Sequence, residues 1–349
     1  MSWRVAPHVE EILRKAADGK GIARGEALQM MNVEEHSREA YALFQTANWM
    51  SRRFFKDKGE IHFHLGVNVE PCPMDCRFCS LTQRAGIFLE KQEFSDEQIT
   101  EWAKMAEAQS ADALNIMTTA SYPLERLLDI GRMLKKVVPV PLVANTRDID
   151  HREGEKLLEA GFVGVYHALR LGEGRDTPFD PETRMQTIRV LKDVGLLWMN
   201  CIEPVGPEHD YEEIVDLMFL ARTHGATYSG VMRRINFPGS PMERYGMIGE
   251  LELAKMVAVS RLVMGGTAKA HCTHEPHTTS LLAGANLLFP EVGSSPRDDI
   301  ADSSHGIGRG IGDCSKMLQE LGWDVGLPSN CFRSYASTVP NALEEQTYP

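Results

Sequence analysis

Three cysteines lie close together in the N-terminal third of the sequence. Cys72, Cys76 and Cys79 are separated by three and two residues. Three thiolates at this spacing can hold three irons of a [4Fe–4S] cluster and leave the fourth iron without a protein ligand, open to a substrate or cofactor. A zinc site needs further Cys or His ligands. None follows within forty residues, but His62 and His64 precede the triplet, so a mixed zinc site stays open.

The other four cysteines, Cys201, Cys272, Cys314 and Cys331, are scattered over the C-terminal half. Because the total of seven is odd and the chain starts as a charged amphipathic helix without a secretion signal, a disulfide framework is disfavoured. Cys272, Cys314 and Cys331 are candidate ligands of a second, auxiliary iron–sulfur cluster. The alternative is that they are small core residues, as free cysteines commonly are.

Composition narrows the class of protein. The chain has 349 residues, of which 43% are hydrophobic and 25% charged, which excludes a disordered or fibrous protein. No apolar run of about 18 residues indicates a membrane span. The net charge of −12 argues against nucleic acid as a partner. These features predict a cytoplasmic protein with no nucleic-acid and no membrane partner.

The spacing of hydrophobic residues predicts the strands and helices that position these side chains. From Glu60 onward, short β-rich runs alternate with amphipathic stretches, which predicts an α/β fold with a parallel sheet. Eight strands are predicted, at 60–68, 112–118, 139–146, 162–168, 196–203, 227–235, 267–271 and 286–292. Seven helices are predicted near 95–110, 122–137, 150–160, 181–195, 210–224, 249–264 and 312–321. Eight strands alternating with helices indicate a (β/α)8 TIM-type barrel.

The predicted barrel spans residues 57–325, with a helical N-terminal extension at 1–56 and a C-terminal tail at 326–349. In such barrels, chemistry takes place at the carboxyl ends of the strands. The polar and cysteine side chains gather there. They are Cys72, Cys76 and Cys79 after strand one, Thr118 and Thr119 after strand two, Asn145 after strand three, His167 and Arg170 after strand four, Cys201 and Glu203 after strand five, Arg233 after strand six, and His271 and Cys272 after strand seven.

The segment Cys72-x3-Cys76-x2-Cys79, with aromatic Phe78 before the third cysteine, resembles the motif of the radical S-adenosylmethionine (SAM) superfamily. The likeness extends over about residues 55–325 through the segments VYHALRLGEGRDT, MNCIEPVGPEH and GVMRRINFPGSPM. It is strongest to the full-barrel branch with biotin synthase, the hydrogenase maturase HydE, methylornithine synthase and HmdB.

The resemblance implies a [4Fe–4S] cluster on Cys72, Cys76 and Cys79 that binds SAM. A one-electron reductant such as flavodoxin or ferredoxin would drive cleavage of SAM to a 5′-deoxyadenosyl radical, which abstracts hydrogen from a small substrate in cofactor or amino-acid biosynthesis. SAM contacts are expected from Phe78, Thr118, Thr119, Asn145, Arg170, Glu173 and Arg184, and substrate contacts from His167, Glu203, Arg233 and His271. The plainer interpretation of Arg184 is a surface or ion-paired arginine, and that of the threonines is β-propensity.

Other functions remain open. Only Cys201 matches a ligand position of the second biotin synthase cluster, since strands two and three carry no cysteine. Arg333-Ser334-Tyr335 partly resembles a C-terminal segment of lipoyl synthase, which keeps sulfur insertion open. A non-catalytic iron–sulfur or zinc protein, and a metal-dependent hydrolase with His62, His64 and His271 as ligands, are the remaining alternatives.

Overall fold

The computed structural model describes residues 4–274 and 277–333. Three helices come first, α1 (Pro7–Ala17), α2 (Arg24–Met31) and α3 (Arg38–Phe55). Strands and helices then alternate as β1 (Glu60–Gly66), β2 (Asn68–Val69), β3 (Gln92–Glu93), α4 (Asp96–Ala108), β4 (Ala113–Met117), α5 (Leu124–Leu134), β5 (Leu142–Asn145), α6 (His151–Ala160), β6 (Phe162–Tyr166) and α7 (Pro181–Val194). The chain continues as β7 (Leu197–Met199), β8 (Ile202–Val205), α8 (Tyr211–His224), β9 (Tyr228–Arg233), α9 (Glu250–Met264), β10 (Ala270–Cys272), α10 (Thr278–Leu282), β11 (Leu287–Leu288), β12 (Glu291–Gly293) and α11 (Ile311–Glu320).

Eight parallel strands close into a barrel in the order β1, β4, β5, β6, β7, β9, β10 and β11, with β11 pairing back onto β1. β8 pairs with β9 and β12 with β1, so they extend the fifth and eighth strands toward the carboxyl end of the barrel. This confirms the predicted (β/α)8 fold. The eight predicted strands and seven predicted helices are all present.

Alternate side chains along each strand face opposite sides of the sheet and divide the core into two layers. On β1, Ile61, Phe63 and Leu65 pack in the shell between strands and helices, whereas His62 and His64 contact Phe289 inside the barrel. Successive side chains of a strand point to opposite faces, so this alternation follows from the backbone. The inward side chains pack as a separate group, here called the lumen, which comprises mainly Tyr166, Met199, Cys201, Tyr228, Cys272, Leu287, Phe289, Cys331 and Phe332.

Helix starts follow the capping residues in the sequence. The Ser95 hydroxyl accepts a hydrogen bond of 3.2 Å from Gln98 N at the start of α4. Asp180 accepts from Thr183 N at 3.2 Å, one residue before Pro181 opens α7. Both groups satisfy N–H donors that a helix leaves unpaired in its first turn. Ser95 and Asp180 therefore cap the starts of α4 and α7.

The three N-terminal helices pack on the outside of the barrel, where α2 and α3 contact α8 and α9. Ser51 of α3 donates to Gly284 O at 2.6 Å, and Arg24 of α2 pairs with Asp216 of α8 at 2.5 Å. Within the described parts of the chain, no helix is both long and apolar enough to cross a bilayer.

The chain after α11 crosses the amino-terminal end of the barrel, here called the floor. Gly59 N donates to Asp324 O at 3.0 Å, and Asn330 N donates to the Glu60 carboxylate at 2.6 Å. The Asn330 side chain also donates to Phe55 O at 2.9 Å. Residues 321–333 therefore close the floor. Ser334 and Tyr335, two of the three residues that resemble lipoyl synthase, lie outside the described residues.

Candidate functional site

The cysteine triplet lies on the loop between β2 and β3, at the mouth formed by the carboxyl ends of the strands. Backbone contacts fix this loop to neighbouring loops. Arg77 N donates to Asp176 O and Ser80 N to Pro296 O, both at 2.9 Å. Ser240 Oγ donates to Arg77 O at 3.2 Å. Because these partners follow β6, β12 and β9, the triplet is held from three sides.

All three thiols face the cavity at this mouth. Burial raises the pKa of Cys76 to about 11 and that of Cys79 to about 12. In the metal-free protein, these two groups are therefore protonated near pH 7. A metal that binds them releases their protons, since thiolates are the ligands.

Most of the predicted site residues meet at one cavity. Its walls include Cys72, Cys76, Phe78, Cys79, Thr118, Thr119, Asn145, His167, Arg170, Arg184, Glu203 and Arg233. Two predicted residues, Glu173 and His271, are not part of its lining. The fold thus joins predicted site residues that are as far apart in the sequence as Cys72 and Arg233, which are 161 positions apart.

Two guanidinium groups form the charged wall of the cavity. Arg170 Nε lies 3.2 Å from Glu203 Oε1. Arg184 lies near the start of α7, is only 3% exposed, and stacks over the Phe179 ring at 3.9 Å. A buried arginine beside a cavity is well suited to bind a carboxylate in a bidentate manner. The surface interpretation of Arg184 is therefore wrong.

Glu173 lies behind this wall and supports it. One carboxylate oxygen accepts from Arg170 N at 2.9 Å, and the other accepts from Thr177 Oγ1 at 2.6 Å. Its first oxygen is also 3.6 Å from Arg184 Nε. Because both oxygens face protein donors and not the cavity, Glu173 positions the two arginines; the expected contact with the SAM amino group does not fit this placement.

Asp148 connects Arg184 to His167. Its Oδ1 lies 3.4 Å from Arg184 Nη1 and 3.1 Å from His167 Nε2. Burial opposes ionisation of Asp148, but the hydrogen bond to His167 and the charge of Arg184 outweigh it and lower the pKa of the carboxyl group. Burial also lowers the pKa of His167. Sequence reasoning missed Asp148, which lies in the loop after β5.

At the end of β4, the structure supplies a carboxylate that the local sequence lacks. The Thr119 hydroxyl donates to Glu70 and accepts from Asn68 Nδ2 at 2.9 Å, so its hydrogen-bonding capacity is used within the protein. Ser121 Oγ also donates to Glu70, at 2.5 Å. Thr118 Oγ1 donates to Asn145 O at 3.0 Å, and Thr118 is part of the cavity lining. Glu70, two residues before Cys72, was missed because its partners are about fifty positions away.

His271 does not belong to the cavity. Its Nε2 lies 2.8 Å from Val257 O of α9, in the shell outside the strands. The expected substrate contact of His271 is therefore wrong. Successive side chains of a strand point to opposite faces, and Cys272, the next residue of β10, faces the lumen. The hydrolase ligand set is excluded for the same reason, because His62 and His64 point inward and His271 points outward.

The three candidate auxiliary-cluster cysteines are not gathered in one place. Cys314 lies on α11 in the outer shell, whereas Cys272 and Cys331 lie in the lumen. Cys201, which seemed the weakest candidate, is the direct neighbour of Cys272, with the two Sγ atoms 3.3 Å apart. A cluster held by Cys272, Cys314 and Cys331 together is therefore incompatible with the fold.

A further group of cavity residues comes from β1, β10 and β12. Arg297 Nη2 lies 2.5 Å from Glu291 Oε1 and 3.4 Å from His274 Nε2. The rings of His64 and His274 stack with centroids 5.3 Å apart. These residues, with Tyr166, line the wall below the triplet. His64 is among the candidate metal ligands named from the sequence, whereas Glu291 and Arg297 carry no local signal.

Comparison with known proteins supports the family resemblance. The chain is 24% identical over 300 residues to biotin synthase of Pelotomaculum thermopropionicum, covering 80% of this chain and 91% of that protein. Biotin synthase of Clostridioides difficile is 21% identical over 335 residues, with coverage of 91% and 99%. No family model matches the chain.

Solved structures agree on the fold. The crystal structure of methylornithine synthase (PylB) superposes with a TM-score of 0.77 at 16% identity, covering 94% of this chain and all of that one. The hydrogenase maturase HydG gives a TM-score of 0.76 at 15% identity, with coverage of 92% and 76%. The barrel and the sequence relatives together confirm the resemblance that the cysteine triplet indicated.

Proposed function

We propose that the chain is a radical SAM enzyme, which cleaves SAM reductively and uses the resulting radical to abstract hydrogen from a small substrate. Cofactor or amino-acid biosynthesis is the proposed setting. The observation that carries this proposal is the placement of three thiols, on one anchored loop, at a cavity whose wall carries Arg170 and Arg184.

The cysteine loop fits a [4Fe–4S] cluster. Three soft donors face one cavity, and thiolates are the ligands that such clusters prefer. Cys72, Cys76 and Cys79 would hold three irons. When bound, the cluster and SAM together supply the one-electron chemistry that yields a 5′-deoxyadenosyl radical.

Arg170 and Arg184 would bind the carboxylate of SAM, with their orientation fixed by Glu203, Glu173 and Asp148. The Thr118 hydroxyl and neighbouring carbonyl oxygens would accept hydrogen bonds from the SAM ammonium. Phe78, on the loop itself, would pack near the adenine. In this assignment, Asn145 lies beside Thr118 and supports it through its backbone carbonyl.

The substrate would bind deeper in the cavity, near His167, Glu203 and Arg233. Because burial lowers the pKa of His167, its ring is neutral near pH 7 and can accept or donate one hydrogen bond. We propose flavodoxin or ferredoxin as the reductant. A reducing, cytoplasmic environment suits the seven free cysteines.

Anaerobic reconstitution with iron and sulfide, followed by dithionite and SAM, tests the proposal. Wild type should release 5′-deoxyadenosine, and Cys76→Ala should not. Cys314→Ser is the matched control, since it removes a buried thiol outside the barrel and should leave release intact. Bound iron with no SAM cleavage would contradict the proposal and favour a non-catalytic iron–sulfur protein. Sulfur insertion with an auxiliary cluster has less support, because Cys314 is separated from Cys272 and Cys331.

A further inference from the structure

The floor of the barrel contains polar side chains whose hydrogen-bonding groups are not all used. Glu60 and His62 of β1 are both fully buried. Neither ring nitrogen of His62 has a hydrogen-bond partner within the described chain, and the same holds for Glu60 Oε2. Leaving such groups unpaired in the interior costs free energy, so an occupant that pairs with them is expected.

These atoms converge with a thiol. The ligand atoms of Glu60, His62 and Cys331 all lie within 4.8 Å of one another. His62 Nε2 and Glu60 Oε2 are 3.5 Å apart, which is close to the roughly 3.4 Å between two N or O ligands of one tetrahedral zinc ion. One thiolate, one imidazole and one carboxylate are donor types that bind zinc, and they would supply three of the four ligands of a structural site.

The surroundings hold this triad in place. The His62 ring packs against Tyr228 at 5.4 Å and Phe332 at 5.3 Å between centroids. Glu60 Oε1 accepts from Asn330 N, so the carboxylate that anchors the C-terminal segment leaves only Oε2 for a ligand. Asn330 directly precedes Cys331, so the hydrogen bond between Asn330 N and Glu60 also positions the Cys331 thiol near Glu60.

Formal charge also favours a cation. Asp112 and Glu60 are two buried carboxylates near a single ammonium group, that of Lys58, whose Nζ lies 2.8 Å from Asp112 Oδ1. Burial and the charge of Glu60 raise the pKa of Asp112 to about 7. With both carboxylates ionised, the state that a bound cation favours, the count leaves one negative charge, to which a Cys331 thiolate would add a second. A divalent ion balances both, and buried charges in proteins are normally compensated.

A second group with metal-ligating side chains, His64, His274 and Glu291, lies in the cavity two residues higher on β1. There the Arg297 guanidinium already contacts both Glu291 and His274. A cation is thus part of that group, which makes it a poor site for a second one. At the floor, the nearby Lys58 ammonium contacts Asp112 and Val325 O, so its hydrogen bonds are directed away from the three candidate ligands.

We propose that Glu60, His62 and Cys331 form a structural zinc site that ties the C-terminal segment to the barrel floor. The site is separate from the cysteine triplet and does not depend on SAM chemistry. Its fourth ligand would come from within the lumen, where the thiols of Cys201 and Cys272 lie.

Metal content of the reconstituted holoenzyme tests this site. After incubation with zinc chloride and removal of unbound metal, wild type should contain about one zinc per chain besides about four irons. His62→Gln, Glu60→Gln and Cys331→Ser should each lose the zinc and keep the iron. These variants should also melt several degrees lower and be cleaved faster by protease after α11, as expected when a metal that binds only the folded state is lost.

Matched controls separate the floor from its neighbours. Cys314→Ser removes a buried thiol of the outer shell, and His64→Gln removes the histidine one layer higher; both should retain zinc. Zinc that is absent from wild type, or that persists in His62→Gln and Glu60→Gln, would overturn the proposal. Loss of zinc in His64→Gln alone would place the metal in the upper group, and loss of iron in Cys331→Ser would indicate an iron–sulfur cluster instead; either result also overturns it.

Discussion

The mouth and the lumen of the barrel each hold three cysteines, but in opposite environments. At the mouth, Cys76 and Cys79 are partly exposed on a loop that faces a cavity. In the lumen, Cys201, Cys272 and Cys331 are buried among aromatic side chains. Catalytic metal centres keep an open position for substrate, whereas structural ones are closed. The proposed assignment therefore places chemistry at the mouth and a structural role in the lumen, although the residue type is the same.

The largest effect that distinguishes the two regions is expected in iron content. Cys79→Ala should reduce the iron of the reconstituted protein from about four atoms per chain to near zero, because two thiolates do not retain a cubane cluster stably. Cys272→Ser should leave about four irons in place. Iron and sulfide analysis with absorption spectra measures both. If Cys272→Ser loses half or more of the iron, the lumen also holds iron and the assignment fails.

The next effect concerns SAM binding. Arg184→Lys keeps the positive charge but loses the planar fork that lies over Phe179, and we expect the dissociation constant for SAM to rise about 10- to 100-fold. Calorimetry on the reconstituted protein measures it. Arg189→Lys is the matched control, since this arginine lies on the same helix and pairs with Glu182 at the surface. Equal affinities in both variants would remove Arg184 from the SAM site.

A smaller effect is expected in the pH dependence of stability, because His271 is buried in the shell outside the strands. Burial, helped by the charge of Arg261, lowers the pKa of His271 to about 3, whereas an unfolded chain binds this proton near pH 6.5. The stability contribution of the neutral ring is therefore complete above pH 6.5 and is lost progressively as the pH falls toward 3. At pH 5.5, the free energy of unfolding should have dropped by about 1.4 kcal/mol because of His271 alone.

Urea unfolding of wild type and His271→Gln at pH 7.5 and 5.5 measures this loss of unfolding free energy. The variant should lose about that much less stability on acidification. His305→Gln, which changes a histidine with an 80% exposed side chain, should behave as wild type. An unchanged pH dependence in His271→Gln would mean that the ring is not enclosed between β10 and α9.

Local patterns predicted the fold well, because each strand and helix of the barrel carries its own signal. The runs from Ile61 to Leu65 and the cap at Ser95 are examples. The position of the triplet at the mouth also followed, since the loop after the first strand lies at the carboxyl end of the barrel. What the sequence did not reveal is which side of a strand each residue faces.

The alternation of side chains along a strand explains why the expected substrate contact of His271 is wrong, and this rule could have prevented the error. His271 and Cys272 are adjacent on β10, so only one of them can face the lumen. Cys314 was misassigned for another reason, because a helix on the outside of a barrel is separated from the lumen by the strands. The contact between Glu70 and Thr119 joins residues 49 positions apart in the sequence. Glu60 and Cys331 lie near opposite ends of the barrel sequence. No local sequence pattern predicts either contact.

The release of 5′-deoxyadenosine by two triple variants tests the division of labour most directly. Cys72→Ala/Cys76→Ala/Cys79→Ala removes the thiols of the mouth, and Cys201→Ser/Cys272→Ser/Cys331→Ser removes those of the lumen. After reconstitution with iron and sulfide and reduction in the presence of SAM, we predict no release from the first variant and release from the folded fraction of the second at a rate near that of wild type. Release from the first variant would contradict the assignment of radical chemistry to the mouth, as would its absence from a folded second variant.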